Sequence, residues 1–144
     1  MSSKLRTASW SLLTFEAAVL LLFSCASAYL AYSGQSYSIA DVAVEKIAAD
    51  NAAVETGLRA SRGTAAAFSA GFAMFMLLTI VGPYRAGHAS SWWILLAGLL
   101  AMAAVTLLRI PTIGTRAGTA VAMILAGFGV FALLLDVGRL RKRG

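Results

Sequence analysis

Four runs of about 20 mostly apolar residues, each long enough to cross a bilayer as a helix, constrain this chain more than any other feature. They lie at about 10–32, 64–84, 91–108 and 117–137. None alternates polar and apolar with a period of two, so a membrane β-barrel is disfavoured. A helix satisfies its backbone hydrogen bonds internally, as hydrocarbon demands. Charge supply points the same way: only 12% of the residues are charged, against about 25% in an ordinary soluble domain. With 60% hydrophobic residues, a soluble surface would expose wide apolar patches. Disorder is excluded by the same richness. The expected fold is all-α: an integral membrane four-helix bundle, one domain over 1–144.

The breaks between runs are marked by glycine and proline. Gly82, Pro83 and Gly87 punctuate the second connection, and Pro111 and Gly114 the third. Both are short, so the last three helices should run antiparallel to their sequence neighbours. Trp10, Tyr32, Tyr84, Trp92 and Trp93 stand at run ends, where interfacial aromatic belts form. The first run also has a signal-peptide look: Lys4 and Arg6, an apolar stretch, then Ala26-Ser27-Ala28. Glu16 interrupts that stretch and apolar character continues to Tyr32, which favours a retained helix.

The first connection, 33–63, is more polar. Ser38 is a good N-cap, and Ile39, Ala43, Ile47, Val54 and Leu58 follow at roughly helical spacing, interrupted by Asn51. This predicts an amphipathic helix that lies on the membrane, caps the bundle, or extends helix two.

Orientation follows Lys and Arg near the spans. With both termini cytoplasmic, that side holds Lys4, Arg6, Arg85, Arg139, Arg141, Lys142 and Arg143, seven against five on the other side. The expected location is a bacterial inner membrane. The net charge of +6 comes mainly from these flanking anchors and the basic tail. Such residues attract anionic lipid headgroups. A nucleic-acid partner would need a folded basic face with readout groups, which this tail is too short to supply.

Only two acids fall inside the apolar runs, and intramembrane ionisable residues are functional candidates. Glu16 lies about two turns into helix one and Asp136 near the end of helix four. Both face the same leaflet in the expected topology. Arg139 at i+3 from Asp136 and Arg85 from the same side are candidate charge partners. The competing reading keeps Asp136 solvated or paired with Arg139 at the interface. His88 stands alone in a loop, so no metal site is expected, and no cofactor. Cys25, the one cysteine, reads as a packing residue. No nucleophile elbow, Walker A loop or zinc-protease motif is present, so catalysis is disfavoured. Small residues recur at four-residue spacing in Ala67-xxx-Gly71, Ala97-xxx-Ala101 and Gly118-xxx-Ala122-xxx-Ala126. Such stripes allow close helix approach, within a bundle or in a homo-oligomer or membrane complex.

From Asn51 onward, one order of features is notable. Glu55, Arg59, Arg62 and Gly63 precede helix two, Ala70-Gly71 lies within it, Arg109 closes helix three and Asp136 sits in helix four. This order resembles a group of small four-helix bacterial membrane proteins of no settled activity, over about two-thirds of the chain. The sequence departs from that group in its Arg62-Gly63, where a double glycine is usual, and in its acidic first connection. The resemblance implies fold and membrane location only. Glu16 in the first helix is also similar to the single glutamate of small multidrug-resistance transporters, but their loops are short and the match ends at that residue.

Three functions are thus open. The leading one is a non-catalytic structural, accessory or lipid-associated membrane subunit. The alternative is a small proton-coupled transporter or channel using Glu16. An enzyme with Glu16 and Asp136 as acid and base is the third.

Overall fold

A computed structural model describes residues 3–39, 42–49, 51–113, 118–138 and 140. The chain is mostly helical. Five α-helices are described: α1 (Ser3–Tyr32), α2 (Val44–Ala48), α3 (Ala52–Thr79), α4 (Ala89–Ile113) and α5 (Thr119–Leu134). A π-helical turn, Ile80–Tyr84, continues α3. Two-residue strands β1 (Ser38–Ile39) and β2 (Val42–Ala43) pair antiparallel. Three helical stretches are long and apolar enough to cross a membrane: Lys4–Tyr32, Ala52–Tyr84 and Ala89–Thr112. At 1.5 Å per residue, the 16 residues of α5 span about 24 Å, short of a hydrocarbon core of about 30 Å.

The first connection departs from the single amphipathic helix expected after Ser38. Ser38 lies in a strand, α2 is five residues long, and Ala49 ends it in the left-handed region at φ 47°. Asn51, read in sequence as an interruption, is the true N-cap. Its Oδ1 accepts the backbone N–H groups of Ala53 at 3.0 Å and Val54 at 3.3 Å. Val54 and Leu58 therefore belong to α3, which extends helix two toward its N-terminus. Asp41 and Asp50 lie outside the described residues.

Pro83 does not end its helix. Proline lacks an N–H and its ring crowds the carbonyl four residues back, and the wider π turn accommodates both. The break falls at Gly87, with φ +99°, a conformation that suits glycine. His88 then closes the turn: its backbone N–H (3.0 Å) and Nδ1 (3.1 Å) both donate to the Pro83 carbonyl. Pro111 likewise sits inside the end of α4, five residues beyond Leu108 being helical up to Ile113. Gly114 lies outside the described residues.

The chain divides into two compact units. The first holds residues up to Ala18 and those from Phe75 onward. Here α4 and α5 pack antiparallel: the buried Trp92 Nε1 donates to the Leu133 carbonyl at 2.9 Å. The start of α1 joins them through a buried hydrogen bond, 2.7 Å, between Ser9 Oγ and Tyr84 Oη. Tyr84 and Trp92 are thus core residues rather than interfacial anchors, whereas Trp93 is exposed. Leu13, Ala17, Ile80, Leu99 and Leu133 complete this core.

The second unit spans Val19–Met74. Within it α1 and α3 run antiparallel, with Ser24 Oγ donating to Ser69 Oγ at 2.7 Å and Tyr32 against Gly63. Within this unit the buried residues of α3 are small ones, Gly63, Ala66 and Ala73. Ala67 and Gly71, the stripe expected to pack, are exposed, as are Ala97 and Ala101 on α4. On α5 the expected stripe does turn inward at Ala126.

Candidate functional site

The buried face of α1 recurs at helical spacing: Ser9, Leu13, Glu16 and Ala17. That stripe carries Glu16 into the first unit, where it is 3% exposed. Its carboxyl lies against α5 and α4. A Cβ built on Gly129 would stand 2.6 Å from Glu16 Oε2, 2.9 Å from Oε1 and 2.7 Å from Leu99 Cδ1. Only a residue without a side chain fits there. Oε2 has no hydrogen-bond partner among the described residues. A buried polar atom left so costs about 1–3 kcal/mol, which a purely structural position would not ordinarily retain.

Asp136 is also buried, 1% exposed, in the turn after α5, where its backbone N–H donates to the Leu133 carbonyl at 3.0 Å. It follows Gly129 by seven residues, about 10 Å of helix rise. The structure thus buries both acids in one unit. Arg139 lies outside the described residues. Arg85 turns to an aromatic ring: its guanidinium carbon is 4.9 Å from the Trp10 ring centroid. Arg6 Nη2 donates to the Arg85 carbonyl. Spacing along the chain does not reveal this Arg6–Arg85–Trp10 grouping, because Arg85 reaches the start of α1 only by way of the π turn.

A second cluster, also unforeseen, holds the first connection to α3. Arg59 Nε bonds Glu55 Oε1 at 2.8 Å, and its Nη2 lies 3.7 Å from Glu45 Oε1. Its Nη1 donates to the Gln35 carbonyl at 3.0 Å. Ser36 Oγ donates to Glu45 Oε2 at 2.8 Å. Tyr37 is buried beneath two guanidiniums, with Arg59 at 5.5 Å and Arg62 at 4.2 Å from its ring centroid. A backbone hydrogen bond, then the Ser36 hydroxyl, hold the Glu45 carboxyl below its ordinary range, with the Arg59 charge adding to them. That contact is present at neutral pH and is lost as pH falls through the lowered value. Only the Glu55–Arg59 pair, at i,i+4, was readable from spacing.

Cys25 departs from its expected packing role, being exposed on α1. No family model, curated protein or solved structure matches the chain.

Proposed function

We propose that the chain is an integral membrane four-helix bundle of a bacterial inner membrane, with both termini cytoplasmic and α5 as its fourth, shorter helix. In this reading it is a non-catalytic structural, accessory or lipid-associated subunit, acting as a homo-oligomer or within a membrane complex. One observation carries the membrane assignment: the span-length helices turn large apolar side chains outward, such as Phe23 at 62%, Phe68 at 77% and Val105 at 66% exposure. Water would not tolerate that surface, and lipid would.

Cys25 supplies the test. It is the only cysteine, it is exposed on the protein, and it lies seven residues before Tyr32, about 10 Å from the end of α1. In intact membrane vesicles an impermeant maleimide should leave Cys25 unlabelled, and detergent should restore labelling. Ser3→Cys on a Cys25→Ser background should label only from the cytoplasmic face. Ready labelling of Cys25 in sealed vesicles of either orientation would overturn the assignment.

A second reading is favoured by Oε2 of Glu16, which has no hydrogen-bond partner among the described residues. A single buried carboxyl can take up and release a proton, as a small proton-coupled transporter or channel requires. Loss of pH-driven flux on replacing Glu16 supports it.

A further inference from the structure

Two exposed arginines meet at one end of the first unit without an ion-pair partner among the described residues. Arg6 comes from the end of the first turn of α1, and Arg85 from the residue after the π turn. The contacts that hold them there, a backbone carbonyl and an indole ring, carry no net negative charge. Arg6 spends one N–H on the Arg85 carbonyl, and the Arg85 guanidinium carbon sits 4.9 Å from the ring centroid of Trp10, one turn along α1 from Arg6. Gly87 closes the arrangement, since a Cβ there would come to 3.2 Å from Arg6 Nη2. Lys4 adds a third exposed cation on the same helix. Glu16 lies ten residues past Arg6, about 15 Å deeper along α1, and Asp136 is buried.

Like charges gathered on neighbouring residues repel, and an anion reaching both relieves that repulsion. A guanidinium offers five N–H donors in a fixed fork, so most of the donors on this pair remain available. The fork matches a phosphate. The level of the pair is set by indoles: Trp10 lies under Arg85, and the exposed Trp93 follows the first turn of α4. Indoles favour the headgroup level of a bilayer.

We propose that Arg6 and Arg85 form a headgroup site for an anionic phospholipid, with the lipid phosphate bridging the two guanidiniums and Trp10 flooring the site. This rests on the membrane assignment above and names the lipid class and the residues that select it. The bound phosphate oxygens accept N–H bonds from both side chains, and the acyl chains run along the apolar exterior of α1.

The full chain, purified in detergent, is offered an equimolar mixture of phosphatidylglycerol and phosphatidylcholine, and retained lipid is read by native mass spectrometry. The wild type should enrich phosphatidylglycerol about thirtyfold, as two interfacial cations imply. Arg6→Gln with Arg85→Gln should bring the ratio to near parity, while Lys4→Gln should leave most of the enrichment. Unchanged enrichment in the double variant overturns the site. So does displacement of the lipid by millimolar inorganic phosphate, which would mark a free-anion site instead. Should the double variant lose its helical circular dichroism, Arg85→Gln alone is read, since it keeps the backbone carbonyl that Arg6 uses. A loss of enrichment of at least about threefold is then expected, and none overturns the proposal. Reconstitution into vesicles separates the two readings. A chain that fails to insert refutes the membrane assignment, whereas one that inserts but takes both lipids equally refutes only this site.

Discussion

Gly129→Ala is expected to lower stability by about 1–3 kcal/mol, and Gly129→Val by more. Every atom that the new side chain would meet is held in place. Its Cβ would lie 2.6 Å from Glu16 Oε2 and 2.7 Å from Leu99 Cδ1, and both residues are buried, Leu99 at 1% exposure. Neither can swing into solvent, so α1, α4 and α5 would have to separate locally. Gly63→Ala is the informative contrast. A Cβ there would come even closer to a neighbour, 2.2 Å from Tyr32 Oη, yet Tyr32 is 72% exposed and its ring can move aside. A loss below about 1 kcal/mol is expected there. Denaturant titration in mixed micelles reads both. The diagnostic variant is Gly129→Ala combined with Glu16→Ala, which removes the obstructing carboxyl. The two changes should be non-additive by about 1 kcal/mol or more, because they share one contact. Simple additivity would mean that Glu16 does not rest on Gly129.

Glu16→Met is expected to act in the opposite direction, stabilising the protein by about 1–3 kcal/mol. Methionine has nearly the same length and adapts its shape to the space left by the carboxyl. It removes a polar atom that is buried and, at Oε2, without a partner among the described residues. Glu16→Gln, which keeps a polar head, should fall between methionine and the wild type. The same variants decide between the two functional readings. If the carboxyl carries protons, reconstituted Glu16→Met gains stability and loses pH-driven flux together, the trade expected where function retains a costly group. Flux that survives the substitution ends the transport reading. A fall in stability would show that the Glu16 carboxyl has a partner beyond the described residues.

The helical content and the span-length helices were legible because an apolar run of bilayer length has few other uses. Glu16 stood out by its depth in such a run, but depth left open whether it faces the interior, and its 3% exposure comes from packing against α5 and α4. Which way the stripes face was not legible. On a helix apolar all round, hydrophobicity carries no phase, so Ala67 and Gly71 read as well as Ala66 and Ala73, and only packing distinguishes them. Tyr84 and Trp92 failed for a related reason: a run-end aromatic suits an interface or a core, and a partner such as Ser9 or the Leu133 carbonyl decides. Pro83 misled as a helix breaker because the one-residue widening of a π turn leaves no mark in sequence. The Arg59 cluster was invisible because its partners at Gln35 and Glu45 come from distant positions on an irregular segment.

That cluster divides the sensitivities of the chain. The long helices present hydrocarbon-like surfaces, on which dissolved ions have little purchase. The first connection is fastened by one arginine whose carboxylate partners, Glu45 and Glu55, remain 46% and 34% accessible, so mobile ions reach the fastening directly. Raising ionic strength should therefore loosen residues 33–51 while the helices stay formed, in the manner of a locally unfolding segment. Under the proposed membrane assignment, lipid and salt become separate controls over one polypeptide: one governs the long apolar helices, the other the strap between the first two of them.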